Sequence, residues 1–224
     1  EQVFHRPESP FRCTTKSFRK PDRARNRTQK RATRMVALAS DRTKSVHRAQ
    51  ITDLDAILRI ERECFPVGIR ETKGTFESRL TVFPEGFFAL KALDSATPSG
   101  NSTISGYFCS EIWDSIPQGA QDAYQLDHDT GNRHCKDGSV LYISSFAVLP
   151  AVRGGAGRFL FKTAVSHLLS CFPSIQAIHF IVNEQWFAAR HIYETEGFSY
   201  TGEIPAFFRQ QHRTDSALIM TKKL

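Results

Sequence analysis

Residues 147–161 read A-V-L-P-A-V-R-G-G-A-G-R-F-L-F, and that order of residue types leaves a chain few ways to fold. Ala147 to Leu149 are apolar and β-type, Pro150 stops a strand, Arg153 to Gly157 form a basic glycine-rich turn, and an amphipathic helix opens after it. Glycines let backbone N–H groups approach a ligand with no Cβ in the way. The following helix aims its unsatisfied N-terminal N–H groups and positive dipole end at the same point. Strand, turn and helix in that order make an anion site suited to a pyrophosphate. The dinucleotide fingerprint needs G-x-G-x-x-G, and the P-loop needs G-x-x-x-x-G-K followed by Ser or Thr. Gly154, Gly155 and Gly157 satisfy neither.

Regular structure is predicted on both sides of this unit. Ala177 to Asn183 (A-I-H-F-I-V-N) read as a buried strand, and Trp186 to Phe198 as a short helix closed by Gly197, with Asn183 as its N-cap. Upstream, I-T-D-L-D-A-I-L-R-I-E-R-E-C-F-P follows Gln50. It places Leu54, Ile57, Leu58 and Cys64 on one helical face, with Thr52 and Asp55 spaced as a capping-box variant and Pro66 ending the helix. A second amphipathic stretch, Thr75 to Phe83, precedes a strand over Pro84 to Leu93. Ile104 to Trp113 follow as its hairpin partner, and a long polar insertion runs from Asp114 to Gly138.

The glycine turn resembles motif A of the GNAT N-acetyltransferase superfamily, in which a V-x-P strand runs into [QR]-x-x-G-x-[GA]. With Val148 and Pro150 on V-x-P, the loop from Arg153 to Gly157 is one residue shorter than usual. With Gly155 and Gly157 aligned instead, Val152 takes the Gln/Arg place. The later helix resembles motif B of the same superfamily, N-x-x-A-x-x-x-Y-x-x-x-G-F. Ala189, Tyr193, Gly197 and Phe198 fall at matching offsets, and Trp186 stands in the Asn place. The pieces I-E-R-E-C-F-P and F-P-E-G-F-F, with the long insertion, look like the arylalkylamine N-acetyltransferase branch.

This resemblance implies an α/β (α+β) fold, the GNAT acyl-CoA N-acyltransferase fold, with a mixed and mostly antiparallel central sheet flanked by helices. It implies acetyl-CoA as co-substrate, no metal, and direct acetyl transfer to a primary amine, a small aryl or alkyl amine first and a polyamine or protein N-terminus next. A non-catalytic acyl-CoA-binding module is the rival reading. In the resembled family the loop holds the pyrophosphate, which assigns Arg153, Gly154, Gly155, Ala156, Gly157 and Arg158 to the cofactor, with Ala189 from motif B. The backbone of Phe146, Ala147 and Val148 becomes the track for the pantetheine arm, and Tyr193 the proton donor for the departing thiolate.

The arylalkylamine branch places histidines on the strand before the loop, where this chain has Tyr142, Ser144 and Ser145. None of these is a good base near neutral pH. Glu111, His128, His134, Glu63, Glu71 and a water chain stay open as general base. Phe65, Phe83 and Trp113 are candidates for the walls of an apolar amine pocket.

Residues 1–45 carry 13 of the 30 Lys and Arg but only 4 of the 23 Asp and Glu, so the net charge of +7 belongs to this extension rather than to the domain over 46–224. Arg-rich, and with no sustained apolar period, the extension is predicted to be disordered. Three readings stay open for it: an organelle transit peptide, an electrostatic arm making weak contact with nucleic acid or anionic surfaces, or an untranslated stretch before Met35. The domain itself is not expected to bind nucleic acid. A monomer or homodimer in the cytoplasm, or in an organelle if the extension is an address, fits this reading. Five widely spaced cysteines without C-x-x-C suggest neither a disulfide framework nor a zinc site. No apolar run approaches the roughly 20 residues that span a bilayer.

Overall fold

The computed structural model describes residues 38–40, 43–93, 102–118 and 121–224. The expectation of disorder for residues 1–45 lies outside them at 1–37, 41 and 42, whereas Ala39, Ser40, Lys44 and Ser45 belong to strands. Among the described residues eight strands form one sheet: β1 (Ala39–Ser40), β2 (Lys44–Arg48), β3 (Phe87–Leu93), β4 (Ser102–Trp113), β5 (Val140–Val148), β6 (Ala177–Asn183), β7 (Ser199–Arg209) and β8 (Thr214–Lys223). Their spatial order is β1-β2-β3-β4-β5-β6-β8-β7. Every neighbouring pair is antiparallel except β5 and β6, which run parallel around the glycine turn and its helix. The sheet begins earlier than the charge boundary: Lys44 and Ser45 pair with Ala92 and Lys91.

Period-two alternation sorts the side chains of the sheet into two layers. Phe87, Ala89, Tyr107 and Cys109 face helices α1 (Leu54–Cys64) and α2 (Lys73–Val82), meeting Ile57, Ile60 and Phe76. Phe88, Leu90 and Phe108 face the other way, onto Leu160, Phe161 and Ala164 of α4 (Arg153–Cys171). A short α3 (Thr130–Arg133) lies in the insertion, and α5 (Phe187–Thr195) follows β6.

Local chemistry explains most helix ends. The α1 unit opens at Gln50, whose N–H donates to the Asp53 carboxylate at 2.9 Å, so the box lies two residues before the expected Thr52 and Asp55 pair. It ends where Pro66 forces Phe65 into extended backbone, and Arg70 donates to the carbonyls of Phe65 (2.6 Å) and Arg62 (2.8 Å). Helix α2 starts two residues earlier than predicted, because Thr72 caps it by accepting from the Thr75 N–H. Pro84 to Gly86 form a tight helical turn, so β3 begins only at Phe87. Asn183 is not the N-cap of α5. Its side-chain oxygen accepts from the Gln185 N–H at 2.8 Å in a turn that ends before the helix begins. Gly197 closes α5 at φ +86°, where the Phe198 N–H reaches back to the Tyr193 carbonyl at 3.0 Å.

The polar insertion is docked. Asp127 accepts from the Thr72 N–H (2.8 Å) and the Thr75 hydroxyl (2.6 Å) at the start of α2, Tyr124 bonds His179 on β6, and His128 bonds Glu111 on β4.

Candidate active site

Strands β5 and β6 pair over only three residues each, ending at Tyr142 opposite His179. Beyond that pair they diverge. On its other side β5 stays laddered to β4 as far as Val148, with Ser144 bulged out of register and its hydroxyl donating to the Cys109 carbonyl at 3.2 Å. Residues 143–148 of β5 therefore present a backbone edge that no described strand occupies. A cleft of about 770 Å³ opens along it, lined by Phe146, Ala147 and Val148 on one side and by Phe180, Ile181 and Val182 on the other.

One end of the cleft is the glycine turn. Gly154 and Gly155 interrupt the helical dihedrals at the start of α4, and Gly155 adopts φ +86°. No atom lies within 4 Å of where a Cβ on either would stand, so the backbone there is open to close approach. Arg153, Gly155, Gly157 and Arg158 line this end. Arg158 is shared with Glu196, at 2.6 Å. Ala156, predicted as a cofactor contact, is fully buried in the core beneath the turn and does not line the cleft. Ala189 lines it from α5.

Tyr193 reaches the cleft from the same helix, packed against Phe180 (4.6 Å between ring centres) and Phe161 (5.5 Å). Burial pushes its phenol well above the ordinary range, so it keeps its proton at neutral pH.

The opposite end is acidic and aromatic. Glu61, on the buried face of α1 one turn beyond Ile57, accepts from the Glu71 N–H at 2.9 Å and from the Tyr107 hydroxyl, which also bonds Ser145 at 2.9 Å. Burial raises its carboxyl to about 7, against the lowering effect of those hydrogen bonds. Glu71 also lines the cleft, its carboxylate held by both terminal nitrogens of the buried Arg79. Phe65 packs on Trp186 at 5.3 Å, and Trp186 on Phe208 at 5.7 Å, to roof this end.

The candidate bases separate in space. Glu63 pairs on the surface with Arg59 at 3.5 Å, and His134 stacks on Phe83 at 4.4 Å away from the cleft. Glu111 is fully buried between His128 (2.9 Å), the Trp113 indole N–H (3.1 Å) and Arg79 (3.4 Å). Burial would raise its carboxyl, but the hydrogen bond and charge of His128, with Arg79, hold it below the ordinary range. Of the predicted pocket walls only Phe65 lines the cleft. Trp113 instead stacks beneath Tyr142 at 3.7 Å, and Phe83 belongs to the core. The sequence reading passed over Glu61. Its signal was a charge at i+7 from Leu54 and i+4 from Ile57, on the face of α1 that those residues bury.

Among the described residues no helix is long and apolar enough to cross a membrane, and no cluster of His, Cys, Asp and Glu could hold a metal ion.

No family model and no curated protein matches the sequence. Solved structures share its fold. NAA60 from Arabidopsis thaliana in complex with acetyl-CoA is 19% identical with a TM-score of 0.62, over 81% of this chain and 99% of that one. The ribosomal-protein-S18-alanine N-acetyltransferase from Escherichia coli is 17% identical with a TM-score of 0.56, over 80% and 93%. The GNAT-like decarboxylase GphF in complex with isobutyryl-CoA is also 17% identical, with a TM-score of 0.62, over 80% and 98%.

Proposed function

We propose that this chain, which has the GNAT acyltransferase fold, transfers the acetyl group of acetyl-CoA to the nitrogen of a small primary amine bearing an apolar or aromatic group. The observation that carries the reading is the parting of β5 from β6, which opens one cleft from the glycine turn to Glu61.

The residues present suit a coenzyme A thioester. The amides around Gly154 to Gly157, open to close approach at the head of a 19-residue helix, would receive the diphosphate, with Arg153 beside them. The unladdered edge of Phe146 to Val148 offers N–H and C=O groups to the amides of the pantetheine arm. Acetyl-CoA supplies an activated acyl carbonyl on a good leaving group. The protein then has to deprotonate an ammonium and return a proton to sulfur. Glu61 takes the ammonium proton, since a carboxylate near 7 matches that task at neutral pH. Tyr193 holds its proton for the departing thiolate. Positive charge at the turn and the carboxylates of Glu61 and Glu71 at the other end orient an anionic donor and a cationic acceptor oppositely.

The aromatic residues Phe65, Trp186 and Phe208, packed on one another over this end, favour an amine with an apolar or aromatic group. The S18-alanine enzyme is named for a protein acceptor and the decarboxylase shares the fold, so acceptor and reaction are tested by direct measurement. Free-thiol release from acetyl-CoA across a panel of small amines and an N-terminal peptide provides it. Release that depends on a small apolar amine is expected. Binding of acetyl-CoA without amine-dependent release would make the protein a non-catalytic acyl-CoA binder.

A further inference from the structure

A chain of hydrogen bonds runs behind the acceptor end of the cleft and has no part in the proton transfers above. The Tyr124 hydroxyl and His179 Nε2 are 2.7 Å apart, and His179 Nδ1 and Thr221 Oγ1 are 2.8 Å apart. Thr221 Oγ1 and Thr201 Oγ1 are 3.0 Å apart, and the Thr201 hydroxyl meets the Ile219 carbonyl at 3.4 Å. Tyr124 lines the cleft beside His128 and Tyr142, whereas His179 and Thr221 are buried behind it.

The Tyr124 end sets the direction of the chain. A phenol O–H is a stronger donor than an imidazole N–H, and an imidazole nitrogen a stronger acceptor than a phenol oxygen, so Tyr124 donates to His179 Nε2. The neutral ring then carries its proton on Nδ1 and donates it to Thr221 Oγ1. Burial lowers His179 to about 4, so the ring is neutral at physiological pH and its Nε2 carries no proton. Nε2 therefore accepts, and the Tyr124 hydroxyl proton is committed to it. What Tyr124 has left for a ligand is lone pairs.

We propose that this chain makes Tyr124 a specificity-determining residue that accepts a hydrogen bond from the N–H of the amine substrate, with His179 and Thr221 as positioning residues that fix its polarity. The inference rests on the acetyl-transfer reading for the identity of the ligand, and on the hydrogen-bond chain alone for the polarity. A hydroxyl locked as an acceptor favours an N–H donor and disfavours an acceptor group placed at the same point, a directional contact that adds to the charge attraction of the Glu61 and Glu71 carboxylates.

The test has two arms. Nitrogen-15 NMR of the imidazole in the unliganded protein should show His179 as the Nδ1–H tautomer. In kinetics, Tyr124→Phe should raise the amine KM about 10-fold, with kcat and the acetyl-CoA KM little changed. Thr221→Val removes the acceptor of Nδ1–H and should switch the tautomer and raise the amine KM together, while Thr221→Ser restores both. An Nε2–H tautomer in the native protein overturns the inference whether or not an amine is turned over. Native turnover with an unchanged KM in Tyr124→Phe overturns it and leaves acetyl transfer standing. No amine-dependent thiol release in the native protein overturns both.

Discussion

Tyr142 on β5 and His179 on β6 are the last residues to pair between two parallel strands that continue for six and four residues beyond them. A sheet that parts in its middle forgoes ladder hydrogen bonds, each worth roughly 1 kcal/mol net, and leaves backbone groups that need partners. Both residues of the last pair are fixed by neighbours: Tyr142 stacks on Trp113, and His179 bonds the hydroxyls of Thr221 and Tyr124. A ligand with its own amides would satisfy the backbone groups left beyond them.

Gly155 sits at φ +86° with open space around it, so Gly155→Val is expected to cost roughly 1–2 kcal/mol of backbone strain while leaving the fold intact. Its side chain would stand where a diphosphate approaches. Calorimetry should show coenzyme A affinity reduced at least about 10-fold, and thermal unfolding at one fixed coenzyme A concentration should show a smaller upward shift for the variant than for the native protein.

Glu61→Gln should reduce turnover by about 10² to 10⁴-fold and abolish a rise in kcat/KM with an apparent pKa of about 7. The same group gives a stability signature of definite sign. Its folded pKa lies above that of the unfolded carboxyl, so between the ordinary value of 4.5 and about 7 the native state holds a proton that the unfolded chain has released. Stability therefore falls as pH rises through that window, and chemical denaturation of the Gln variant should lack this fall.

How much of this was legible in the sequence follows from the range of the forces involved. The glycine turn, the strands around it and the Gly197 stop depend on neighbours a few residues away, and their signals are local. Glu61 does not: its environment is made by Tyr107, 46 residues on, and by Glu71 across a loop. The insertion looked like a solvated loop because its anchors are polar. Asp127, His128 and Tyr124 each find a partner on a distant element, and no periodicity announces such contacts. The motif around Ala156 points to a ligand contact, yet the helical turn buries that residue in the core.

Tyr193→Phe keeps the ring packing against Phe161 and Phe180 and removes only the proton donor. A loss in turnover of about 10 to 1,000-fold is expected, with coenzyme A affinity largely kept. Unchanged turnover would remove Tyr193 from the mechanism.

Arg79 is 1% exposed and compensates both Glu71 and Glu111. Replacing it with Met leaves the buried Glu71 carboxylate without its cation and Glu111 with His128 alone, which is expected to cost about 3–5 kcal/mol in urea unfolding. A variant as stable as the native protein would show that these carboxylates take up protons or reach solvent instead.

The central claim is that coenzyme A fills the gap between β5 and β6, and a crystal structure of the protein with coenzyme A tests it most directly. The account predicts the diphosphate on the amides of Gly154 to Gly157 and the pantetheine arm hydrogen-bonded along Phe146 to Val148. Nucleotide bound elsewhere, or β5 and β6 found paired through Val148 and Asn183, would contradict it.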